Sequence, residues 1–167
     1  MTRSRHPLTF LFVAVGATAF VALTGMTLPD PVAAHFSVTG AADGFMSRHI
    51  YVGLLIALVV GLPALLVAAT CAAMGGPQRR IDLPDPGYWL APERRASTLS
   101  KLHAGVLRFG ALLMVFLCYV HWLVVRANAS VPVRLAPTWL FAGLVVFLIV
   151  TVVQIALLLG RFRHHGT

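Results

Sequence analysis

Apolar residues in this chain gather into four long blocks separated by short polar segments. Leu8–Leu28, Ile50–Met74, Ala104–Val125 and Thr138–Gly160 each reach the ~20 residues a helix needs to cross a bilayer core. None contains Asp, Glu or Lys, and only the third holds an Arg, Arg108, near its start. The pattern predicts an all-α integral membrane bundle of four transmembrane helices, forming a single domain over residues 1–167.

Composition agrees. The chain is 59% hydrophobic and 11% charged, whereas soluble domains are about 25% charged. A soluble fold this apolar could not cover its surface, so the excess faces lipid. The net charge of +8 does not point to nucleic acid. The basic residues lie in short segments between apolar runs, with no aromatic-interleaved stripe to follow a phosphate backbone.

Their placement sets an orientation. Arg3, Arg5, Arg79, Arg80, Arg94, Arg95, Lys101, Arg108, Arg161 and Arg163 fall on one side of the four spans, and Arg48, Arg126 and Arg134 on the other. Short cytoplasmic loops are enriched in Lys and Arg, so both termini and the middle loop are expected inside. Arg3 and Arg5 before the first block, with Val32-Ala33-Ala34 after it, could mark a signal peptide. The apolar run exceeds the about 7–15 residues of a signal core, and an uncleaved anchor is expected.

Small residues allow helices to approach closely in lipid. Gly53, Ala57 and Gly61, then Ala64, Ala68 and Ala72, form ridges on the second span, and Ala14, Gly16, Ala17 and Thr24 offer the same on the first. Pro63 removes a backbone donor and should kink the second span. Cys71 and Cys118 differ in depth by roughly 15 Å at helical rise, too far for a disulfide. These surfaces are compatible with a monomer or a homo-oligomer.

Between the first two spans, two prolines leave the helix, and Gly40 and Asp43-Gly44 are expected to supply turns. The ordered set of Pro29 or Pro31, His35-Phe36, Gly40 and Asp43-Gly44-Phe45 resembles a bacterial membrane-domain family of unknown function, also found at the N-terminus of SdpI-type immunity and signalling proteins. The resemblance covers roughly residues 8–70 and implies an inner-membrane protein without an established activity.

In the middle loop, Tyr88, Trp89 and Leu90 suit the headgroup layer, and Pro84, Pro86 and Gly87 are expected to forbid a helix. Ser97 to Ser100 would cap the third span. This loop is the largest polar surface on the inner side, where a partner protein would dock at Tyr88, Trp89, Arg94 and Arg95; anchoring to the membrane alone explains it about as well.

Few polar residues could carry chemistry. His121 is expected within about 6 Å of the outer end of its span, near His35, Asp43 and His49. That group could suit zinc or a proton-responsive site, but no paired-ligand spacing supports it, and no metal is assigned. His103 and His121 sit about 27 Å apart and cannot share a haem, so no cofactor is expected. Arg108, Thr151, Gln154 and His103 lie at comparable depths and could form a small polar site between the third and fourth spans; snorkelling of Arg108 and helix bonding of Gln154 are the favoured explanation, because no acidic residue enters any span.

All five acids lie in loops, and there is no phosphate loop, nucleophile elbow or zinc motif. An enzyme is not expected. The reading is a non-enzymatic inner-membrane protein acting through protein contacts, as sensor, immunity factor or accessory subunit. A small oligomeric transporter or channel is the alternative. Expected partners are membrane lipids and another membrane or cytoplasmic protein.

Overall fold

The structure is a computed structural model, and it describes residues 6–75, 81 and 83–162. Arg3, Arg5, Arg79, Arg80, Asp82 and Arg163 lie outside the described residues. Four helices are long and apolar enough to cross a membrane, which makes this a multi-pass membrane protein with an all-α bundle.

Helix α1 covers His6–Gly25. It is followed by an antiparallel hairpin, β1 Val32–Phe36 and β2 Ala42–Met46. The second span runs Arg48–Met74 as α2 Arg48–Ile56, a π-helical turn Ala57–Gly61 and α3 Leu62–Met74. The π turn precedes Pro63, which cannot bond to the Val59 carbonyl one turn back; the widened turn absorbs that missing donor.

A one-turn helix α4, Pro86–Trp89, and the 37-residue α5, Pro92–Asn128, follow. Two expectations are corrected here. Pro86 does not forbid a helix; it starts one, since the first helical position needs no N–H donor. Ser97 to Ser100 do not cap the third span, because α5 already begins at Pro92 and contains them. The polar dozen residues before Ala104 extend the helix beyond its apolar core. The last helix, α6, is Pro137–Gly160.

Helix α5 is the central post, packed by α1, α3 and α6. Three clusters fill the bundle from end to end. Leu28, Val32, Leu123, Val124 and Leu135 lie under the hairpin, Ala17, Val21 and Val59 in the middle, and Leu83, Leu102 and Phe162 at the α4 end. Much of the remaining apolar surface is exposed: no residue of α6 is fully buried, as expected of a helix with one side in lipid.

The close helix contacts do not fall on the ridges expected of the second span, whereas Ala14 and Ala17 of the first are packed inside. A Cβ added at Gly16, Gly53 or Gly61 would meet nothing within 4 Å, and Ala57, Ala68 and Ala72 are exposed. The tight crossings lie instead at Gly25, where a Cβ would stand 2.5 Å from Val52, at Gly105, 2.8 Å from Leu158, and at Gly110, 2.7 Å from Val67 and 2.8 Å from Phe10. Gly143 receives the Tyr119 ring. Both cysteines are free.

Candidate functional sites at the two ends of the bundle

At one end the hairpin caps the helices. Gly40 sits in its turn at φ +83°, with its N–H donating to Ser37 O at 2.8 Å, and a Cβ there would collide with the Leu135 carbonyl. Only glycine fits that position. Asp43-Gly44 is not a turn, contrary to expectation; both residues lie in β2. Gly44 pairs with His35, and a Cβ on it would stand 2.8 Å from that of His35. The register slips on either side of His35, so the strand is bent. His35 Nδ1 bonds to Asp43 Oδ1 on the exposed surface, while Phe36 packs inward on the cluster beneath.

The hairpin is bonded to the helices through its backbone. Asn128, in the last turn of α5, accepts from Ala33 N–H through Oδ1 at 2.9 Å and donates to Ala33 O at 3.0 Å and Val124 O at 2.9 Å. Leu135 N–H donates to Gly40 O at 2.9 Å, and Arg134 Nη2 donates to Thr39 O at 3.1 Å. Arg48 Nη1 donates to the carbonyls of Leu28 and Met26 at 3.2 and 3.4 Å. The Asn128 side chain thus acts like a third strand for Ala33. Nothing in sequence spacing points to Asn128, whose partner is 95 residues away.

His121 does not join His35, Asp43 and His49. It lies two turns inside α5, fully buried, because that helix runs on past Val125 to Asn128. The Thr24 hydroxyl donates to Phe20 O at 2.6 Å, so its oxygen accepts from His121 Nε2 at 2.8 Å. Nδ1 is then left to accept from the Tyr51 hydroxyl at 3.0 Å, which assigns the neutral Nε2–H tautomer. The Phe20 ring meets the imidazole edge-on at 6.0 Å. His121 thereby fastens α1, α2 and α5 together. His49 remains exposed near the start of α2. Among the described residues no three His, Cys, Asp or Glu converge as metal ligands.

At the opposite end, Trp89 turns inward. Its Nε1 donates to Phe162 O at 2.8 Å, its ring meets Phe162 edge-on at 5.3 Å, and its carbonyl accepts from the Thr98 hydroxyl at 2.8 Å. It latches the short helix to the end of α6. Tyr88 lies under the Arg94 guanidinium at 4.0 Å, and Arg95 is half-buried.

Arg108, Thr151 and Gln154 come together as expected, in a cleft of about 360 Å³ between α5 and α6, joined by Thr70, Phe109 and Arg161. His103 stands apart in a second cleft with His6, Cys71 and Ser100, its Nε2 buried without a partner.

Comparison with protein-family models, curated proteins and solved structures returned no match.

Proposed function

We propose that this is a non-enzymatic bacterial inner-membrane protein that acts through protein contacts, with the hairpin end facing out and both termini in the cytoplasm. The excess of Lys and Arg in the segments at the Trp89 end supports that orientation.

The observation that carries the reading is the hairpin lid itself. Non-helical backbone at the end of a bundle is held rigid through Asn128, Arg134 and Leu135. Val38 in its turn and Val131 in the α5–α6 loop bonded to it are 96% and 99% exposed. Two apolar tips at full exposure on a rigid support suit a docking surface, and exposed His35 and Asp43 give it a polar rim.

Affinity purification in mild detergent from native membranes tests this. A stoichiometric partner that is lost on Val38→Asp, with the fold intact, is the expected result. The absence of any partner, or a partner retained by Val38→Asp and Val131→Asp alike, contradicts it.

A further inference from the structure

The packing face of α6 repeats at helical period through Leu140, Gly143, Phe147, Thr151, Gln154 and Leu158, six half-buried positions of a largely exposed helix. Two of these six are polar. They sit opposite Arg108, whose Nε donates only to its own helix, to Ala104 O at 3.2 Å. The Thr151 hydroxyl is buried and has no partner. Arg161, just after the end of α6, closes the rim of the same cleft. The sole ion pair among the described residues is His35–Asp43 at the far end, and no carboxylate lines this cleft.

Two guanidinium groups, an amide and an unsatisfied hydroxyl therefore line one cleft without a counter-charge. A cation in a span is costly unless paired. The complementary ligand is a phosphate, whose oxygens accept two bonds from a guanidinium fork and others from hydroxyl and amide donors. The site reaches from Arg161 at the helix end to Thr151, about 15 Å into the span at helical rise. Its other walls are apolar, formed by Phe109, Ile155 and Leu158 along the same depth. Soluble phosphate has no use for such walls, whereas a lipid needs its headgroup phosphate at the rim and its acyl chain along them.

We propose that the cleft between α5 and α6 binds the headgroup phosphate of an anionic phospholipid, held by Arg108 and Arg161 with Gln154 as a supporting donor. Bound there, the lipid fills the gap between α6 and the post it packs on.

The test uses the full-length protein in detergent micelles, with fluorescent phosphatidylglycerol, fluorescent phosphatidylcholine and soluble glycerol phosphate as probes. Phosphatidylglycerol is expected to bind at least about tenfold more tightly than phosphatidylcholine. Arg108→Gln should lower its affinity about tenfold, consistent with loss of a charge-assisted bidentate contact. Arg161→Gln should lower it by less, and Arg126→Gln, at the other end of α5, should leave it unchanged. Should Arg108→Gln fail to fold, Arg161→Gln and Gln154→Leu, at the rim and on the opposite wall, decide the matter. Equal affinity for both lipids overturns the proposal, as does binding unchanged in the variants that fold. Glycerol phosphate displacing phosphatidylglycerol at matching concentration also overturns it, assigning the cleft to a soluble phosphate.

Discussion

The Tyr51 hydroxyl stands 3.0 Å from Nδ1 of His121, across a gap of 70 residues in sequence, and ties the second span to the third beneath the hairpin. Thr24 completes the link from the first span at 2.8 Å. A single imidazole thus links three helices. Interhelical hydrogen bonds in lipid contribute modestly, about 0.6–2 kcal/mol each, but an unpartnered buried nitrogen costs more than its bond contributes.

Tyr51→Phe should therefore destabilise the protein by about 1–2 kcal/mol, and Thr24→Val by a similar amount. Unfolding in a denaturing-detergent titration measures both. Because each substitution strips one nitrogen of the same ring, a double-mutant cycle should show coupling rather than additivity.

Asn128→Ala removes both bonds to Ala33. A loss of about 1–3 kcal/mol is expected from the stranded backbone groups. Hydrogen exchange at Ala33 and its strand neighbours should accelerate, while amides in the middle of α5 stay protected.

Helix crossings give a third prediction. Gly110→Ala places a methyl 2.7 Å from Val67 and 2.8 Å from Phe10, whereas Gly53→Ala and Gly61→Ala add one to open space. The first should cost about 1–3 kcal/mol from overpacking. The other two should be neutral or slightly stabilising, as alanine replaces glycine within a helix. Thermal unfolding in detergent separates them.

Trp89→Phe keeps a ring against Phe162 but deletes the Nε1 donor to its carbonyl. About 1 kcal/mol is expected, with faster proteolysis near Phe162 as the local readout.

The four spans were legible because bilayer thickness imposes a length on any apolar run, whatever its partners. What lies at their ends was not. The strands Val-Ala-Ala-His-Phe and Ala-Asp-Gly-Phe-Met lack an alternating pattern, and the bends around His35 break the period further. The first dozen residues of α5 carry Pro92, Glu93 and two arginines, which read as loop when apolar length is the signal. Gly40 was legible from its turn chemistry and Arg108 with Gln154 from their depth. Tyr51, Thr24 and Asn128 were not, since their roles arise only where distant helices meet. Small residues in the second span suggested a contact that its own chain does not make, because lipid leaves an exposed glycine or alanine unpenalised.

Everything in the proposed function rests on the hairpin lid as a protein-docking surface. A photo-crosslinking side chain placed at Val38, in the full-length protein within native membranes, tests it most directly. A discrete protein adduct is predicted from Val38, with none from the same probe at lipid-facing Leu148, which is 50% exposed. Lipid adducts alone at both positions, or the same protein adducts from both, would contradict the account.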